Sequence, residues 1–292
     1  MERLTRPSLL LAALFLCGCT MTVTNDTIMH NNASIAAAHT ALPNFPTAEG
    51  HYASGTSVVT DDLKASFGRL HTVMLQSDVK KPLIVFCGGN LFREESVGAK
   101  FAETLSAFGD VLIYDYPGFG SSDGTSTRAE FAETETLILA KVQTLMAGRS
   151  GPLIFWGHSL GGGICSSLAA HSPLKSALVL ATTFARYDDF KTEVAGIFGH
   201  LVTLKVPDTV IRYEAPELLR DYNGPIFAIT LTEDETVAFA IQHKLVLELG
   251  REGKGVTVIT LSGKGHSRVH SHPEFHDAMK RAFKSRGIDT GE

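Results

Sequence analysis

The residue types most able to do chemistry in this 292-residue chain are one serine, one histidine and one aspartate in particular settings. Gly157-His158-Ser159-Leu160-Gly161-Gly162-Gly163 follows the apolar run Leu153–Trp156 and opens a helix-like stretch. A serine in a tight strand-to-helix turn is pushed outward, and glycine on either side lets the backbone close up without a side-chain clash. The helix N-terminus beneath it favours negative charge. The alternative is a glycine-rich helix start with an incidental serine. A serine hydroxyl is a weak nucleophile unless a base takes its proton and a third group holds the base. His266 is the candidate base, in Ser262-Gly263-Lys264-Gly265-His266, just past the apolar run Val256–Leu261. His270, His272 and His276 compete, but they fall in or near a final helix. Asp234 is the candidate third group, in the acidic turn after Ile226–Leu231, with Glu233 and Glu235 as alternatives.

The elements that must position these residues alternate in kind. Leu83–Cys87, Val111–Tyr114, Leu153–Trp156, Ala177–Leu180, Ile226–Leu231 and Val256–Leu261 are short, continuous apolar runs, as in strands covered on both faces. Helical patterns lie between them at Ser96–Phe108, Arg128–Met146, Leu160–Ala170, Val237–Leu249 and Pro273–Lys284. Alternation of this sort predicts an α/β layer fold with a mostly parallel sheet. Thr56–Gln76 reads as a strand pair feeding that sheet. Residues 182–223 are longer than a simple crossover and read as a short cap insertion, or as an ordinary crossover helix with a long loop. Phe184, Tyr187, Phe190, Ile197 and Phe198 within it would line a pocket or pack on the sheet.

Composition narrows the function. Hydrophobic residues make up 44% of the chain and the formal net charge is -5, so a core is affordable and a nucleic-acid partner has no electrostatic basis. No cysteine or histidine cluster has metal-ligand spacing, so no metal is expected. Cys87 and Cys165 sit in apolar segments and read as two small buried thiols, with a disulfide between them as the lesser alternative. Oligomeric state is not legible.

The N-terminus reads as an address. Arg3 and Arg6 precede an apolar stretch, Leu9–Leu16, that is too short to span a bilayer. Leu16-Cys17-Gly18-Cys19 resembles a bacterial lipobox, although Cys17 is an unusual residue two before the cut. The resemblance implies that residues 1–18 are a signal peptide and that Cys19 carries lipid. Thr20 in place of aspartate implies sorting to the outer membrane of the cell envelope. Residues 19–50 are small and polar and read as a tether or loosely packed arm. The domain proper is expected over 51–288.

PLIVFCGGN from Pro82, DYPGFGSSDG from Asp115, GHSLGGG from Gly157, LTEDETV from Leu231 and GKGHSRV from Gly263 resemble, in order, the landmarks of the α/β-hydrolase superfamily. Its small-cap, esterase-like group, called BEM46-like, is the most similar. The resemblance spans about Ser57 to Lys284. It implies an eight-stranded, mostly parallel sheet and no cofactor. It also implies a Ser159–Asp234–His266 triad cleaving carboxylic esters of a small-molecule acyl substrate through an acyl-enzyme. The family often has His-Gly where this chain has Cys87-Gly88-Gly89-Asn90. Backbone amides need no particular side chain, so Leu160 and Gly89 are the expected oxyanion donors, with Asn90 as the alternative to Gly89. Asp115 precedes the serine and is expected to be structural. An acyltransferase would share the triad, and a binding lipoprotein on the same fold would not use it.

Overall fold

Runs of consecutive apolar residues become the strands of one sheet. The computed structural model describes residues 19–22, 29–38, 55–190, 202–205 and 211–290. The expected signal peptide, residues 1–18, lies outside them, as do residues 191–201 and 206–210 of the expected cap. The strands are β1 (Cys19–Thr22), β2 (Ser57–Ala65), β3 (Gly68–Gln76), β4 (Leu83–Cys87), β5 (Asp110–Tyr114), β6 (Leu153–His158), β7 (Ser176–Ala181), β8 (Val202–Lys205), β9 (Ile226–Leu231) and β10 (Val256–Leu261). Eight of them form a sheet in the order β2-β3-β5-β4-β6-β7-β9-β10. β3 runs antiparallel to both its neighbours, and every other pairing is parallel. β1 and β8 pair separately, in parallel.

Helices α1 (Asn32–Ala38), α2 (Ala99–Ser106), α3 (Arg128–Met146), α4 (Gly161–His171), α5 (Ala215–Leu218), α6 (Phe239–Arg251) and α7 (Phe275–Ser285) complete the described elements. α3 starts where its capping box predicts: Thr127 accepts from the Glu130 amide, and the Glu130 carboxylate accepts from the Thr127 amide. The helix expected from Ser96 opens instead as a π-helical turn, Glu94–Gly98, before α2. Among the described residues no helix is long and apolar enough to cross a membrane.

Strand alternation sorts the core into two layers. Leu83, Val85, Leu153, Phe155, Leu178 and Leu180 pack with Phe131 and Ile138 of α3 and Leu168 of α4. Ile84, Phe86, Ile154, Trp156 and Val179 pack on the other face with Leu105 of α2 and Phe283 of α7. Each sheet face is thus covered, which is why these strands read as unbroken apolar runs.

At three places the structure says more than the sequence. Cys87 and Cys165, both inaccessible to solvent, form a disulfide rather than standing as two thiols, their Cα atoms 6.0 Å apart. The carboxyl end of β4 packs against the first turns of α4, which brings them within bridging reach. The expected arm is docked over Met29–Ala38. Met29 is fully buried in the core, and the Asn32 amide donates to the Gly118 carbonyl at 2.8 Å. In the expected cap, Phe184 is buried in the core with the Tyr187 ring 5.5 Å away, so these two pack on the domain. Ile197 and Phe198 lie outside the described residues.

Candidate active site

Parallel strands point their carboxyl ends the same way, and the loops leaving those ends meet at one edge of the sheet. β4 delivers Gly89, β6 delivers Ser159, β9 delivers Asp234 and β10 delivers His266.

Ser159 has a backbone φ of 55°, left-handed and uncommon for a residue with a side chain. The surrounding structure over-determines that conformation. The Ser159 amide donates to the Ala181 carbonyl at 2.9 Å, and the Ser159 carbonyl accepts from Thr183 Oγ1 at 2.6 Å and from the Gly162 amide at 2.9 Å. A Cβ at residue 157 would overlap the Gly161 carbonyl, and one at residue 161 would overlap the Cys87 carbonyl. Glycine at both positions is therefore what lets β6, α4 and the end of β4 close around the serine.

Asp234 has no exposed side-chain surface, and its two oxygens are fully engaged. Oδ1 accepts from the Thr236 and Val237 amides, both at 2.8 Å. Oδ2 accepts from Gln242 Nε2 at 2.9 Å and lies 2.8 Å from His266 Nδ1. Burial works to raise the Asp234 pKa. The hydrogen bond and charge of His266 and the two backbone amides outweigh it, so the carboxyl lies below its ordinary value and is ionised at neutral pH. An ionised acceptor at Nδ1 fixes the imidazole proton there and leaves Nε2 as the basic nitrogen.

His266 is held at its backbone as well. Glu235 accepts from the Gly265 amide at 2.9 Å and from the His266 amide at 3.2 Å, so this alternative acid braces the histidine loop. The His266 carbonyl lies 3.0 Å from His158 Nε2, and the two rings pack 4.9 Å apart. His158 is buried, and loss of hydration, reinforced by His266, pushes its pKa down to about 3. It is a neutral donor here. The competing histidines lie elsewhere: His270 accepts from Trp156 Nε1 at 3.1 Å, His272 bonds the Ser262 carbonyl, and His276 stacks on Phe108. Glu233 is exposed, and Asp115 is buried and accepts from the Glu94 and Ser121 amides, a structural role.

Ser159 and His266 share a cleft of about 150 Å³ with Gly89, Asn90, Phe92 and Phe101. A Cβ placed on Gly89 would sit 3.5 Å from the Ser159 Cβ, so the Gly89 backbone passes directly beside the serine. Among the described residues the Gly89 and Leu160 amides donate no hydrogen bond within the protein. Two uncommitted amides beside a serine are what an oxyanion requires. No cluster of three or more histidine, cysteine or acidic side chains among the described residues is placed to hold a metal ion.

Sequence reasoning overlooked Gln242, His158 and Glu235 as supports. Gln242 carried a usable signal: it is a polar residue on the buried stripe of α6, with Leu245 and Leu249.

Residues 82–199 match the family described as alpha/beta hydrolase fold. An uncharacterized 31.7 kDa protein of the traX-finO intergenic region of Escherichia coli is 33% identical over 120 residues, covering 39% of this chain and 41% of that one. The human alpha/beta hydrolase domain-containing protein 17B is 26% identical over 182 residues, covering 59% of this chain and 55% of that one. The chain thus spans about half the length of the curated relatives it matches. The esterase Pf2001 of Pyrococcus furiosus superposes with a TM-score of 0.63 at 13% identity, over 85% of this chain and 99% of that one. Strand order, the turn at Ser159 and these matches agree that the chain has the α/β-hydrolase fold.

Proposed function

We propose that the protein is a serine hydrolase acting on carboxylic esters. One observation carries this reading: a left-handed Ser159 shares a cleft with a His266 whose Nδ1 is bonded to a buried, ionised Asp234. In the proposed reaction Ser159 Oγ attacks the ester carbonyl carbon while His266 Nε2 takes its proton. The carbonyl oxygen becomes an oxyanion facing the Gly89 and Leu160 amides, and Asp234 stabilises the imidazolium. The imidazolium returns its proton to the alcohol as the acyl bond breaks. Water, deprotonated by the same nitrogen, then releases the acid and restores Ser159. The resemblance of motif order to the small-cap, BEM46-like group supports the ester assignment, as does the likeness in fold to an esterase. The apolar wall of Phe92 and Phe101 suits an acyl chain.

Labelling with a fluorophosphonate tests the nucleophile. Wild type is expected to label, and Ser159→Ala and His266→Ala are not. A well-folded wild type that stays unlabelled removes the hydrolase reading.

The sequence also supports attachment of this domain to a bacterial envelope membrane, the outer one, through lipid on Cys19. Labelled palmitate is expected in wild type and absent from Cys19→Ala; equal incorporation in both refutes the attachment.

A further inference from the structure

The cleft has a support that the triad does not explain. The Gly89–Phe92 turn, closed by the Phe92 amide donating to the Gly89 carbonyl at 3.0 Å, carries the second oxyanion amide. Its near end is pinned where Tyr116 Oη donates to the Gly88 carbonyl at 2.7 Å. Its far end runs straight into Arg93, whose side chain has no solvent exposure. A buried guanidinium is costly unless its donors are satisfied. No carboxylate forms an ion pair with it among the described residues; Asp115 and Glu95 favour its charge from further off.

The donors go to the docked N-terminal segment. Nη2 donates to the His30 carbonyl, and Nε to Asn32 Oδ1 at 3.4 Å. Nη1 turns back to the Phe92 carbonyl at 3.5 Å, the last residue of the turn itself. The guanidinium lies over the Phe119 ring, 4.3 Å from its centroid. The segment is clipped down independently of Arg93: the Asn32 amide bonds the Gly118 carbonyl, Asn32 Nδ2 bonds the Gly120 carbonyl at 2.9 Å, and Met29 is sealed in the core.

We propose that Arg93 is a positioning residue that ties the Gly89–Phe92 turn to the N-terminal segment Met29–Ala38, making that segment a working part of the oxyanion site. The proposal rests on the ester-hydrolase reading for its catalytic consequence, though not for the tether. Misplacing an oxyanion donor weakens binding of the transition state more than that of the ground state, so the effect belongs in kcat. Displacement of the segment should therefore lower turnover.

The test uses the full chain with three variants: Arg93→Met, which keeps the bulk of the stem, Arg93→Lys, and Asn32→Ala at an exposed position that does not threaten folding. Hydrolysis of p-nitrophenyl butyrate is followed beside amide hydrogen exchange at Phe92, Glu94 and Val97, whose N–H groups are bonded within or next to the turn. Arg93→Met is expected to lower kcat tenfold or more, with KM within about twofold, and to speed exchange at Phe92 at least tenfold. Arg93→Lys should fall between it and wild type, and Asn32→Ala should move both readouts the same way by less. If Arg93→Met does not fold, Asn32→Ala decides. Wild-type kcat and wild-type exchange in a folded Asn32→Ala or Arg93→Met overturn the proposal. An inactive wild type whose Phe92 amide still loses protection in both variants would refute ester hydrolysis and leave the tether standing.

Discussion

Acid should destabilise this protein through the buried His158. His158 is buried against His266 and His270, and its pKa in the folded chain is about 3, against about 6.5 when solvated. Burial is the main cause and the neighbouring His266 charge the next; the bond to the His266 carbonyl and the charge of Asp234 oppose them without prevailing. The folded pKa is depressed, so between pH 6.5 and pH 3 the unfolded chain binds more protons than the folded one. Stability from this group is therefore complete above about pH 6.5 and is lost as pH falls toward 3. At pH 5 the unfolded histidine is largely protonated and the folded one is not, which removes about 2 kcal/mol relative to pH 8. His270, also driven down by burial, adds a loss of the same sign. Replacing His158 with glutamine keeps a donor for the His266 carbonyl and removes the titration. Urea unfolding of wild type and His158→Gln at pH 8 and pH 5 isolates the effect. The pH-dependent loss should be smaller in the variant by about 2 kcal/mol, whatever its stability at pH 8. An equal loss in both proteins would show that His158 protonates freely in the folded state, and the argument from burial would fail.

Asp234→Asn should lower kcat on the order of 10³-fold to 10⁴-fold with little change in KM, measured on the same chromogenic ester. With the Thr236 and Val237 amides claiming one oxygen and Gln242 Nε2 fixed by its own bonds, the new amide NH2 must face His266 Nδ1, forcing the proton onto Nε2, where it cannot act as base. Reducing the Cys87–Cys165 disulfide, or replacing Cys165 with alanine, should cost about 4 kcal/mol of stability, because the bridge closes a loop of 78 residues. Urea midpoints that coincide with and without reductant, in protein shown by thiol counting to be reduced, would remove the bridge as a source of stability.

The strands and the candidate site are legible for different reasons. A strand buried on both faces must be apolar throughout, so Leu83–Cys87, Leu153–Trp156 and Ile226–Leu231 announce themselves without any partner being known. Ser159, Asp234 and His266 could be picked out because each stands at the end of such a strand, where direction alone brings the loops together. Nothing local marks the disulfide: Cys87 and Cys165 look like any two small apolar residues until β4 and α4 are set side by side. The docking of Met29–Ala38 leaves little local trace for a related reason. That stretch is small and polar because its helix is mostly exposed, and its docking depends on one buried methionine and a few backbone bonds that leave no periodic trace.

Arg93 shows where that kind of blindness matters. In the sequence it is one cation followed by Glu94 and Glu95, and nothing local marks it as buried. Its burial is supported by a segment some sixty residues earlier, whose His30 carbonyl and Asn32 side-chain oxygen accept from the guanidinium. A carbonyl is present at every residue, so no side-chain type at His30 could have signalled the contact. The proposed triad is specified by side chains and can be read from one strand end at a time, whereas the proposed oxyanion turn is specified by backbone placement and depends on how distant segments pack. Substitutions that spare every catalytic side chain, Asn32→Ala first among them, should therefore still change turnover.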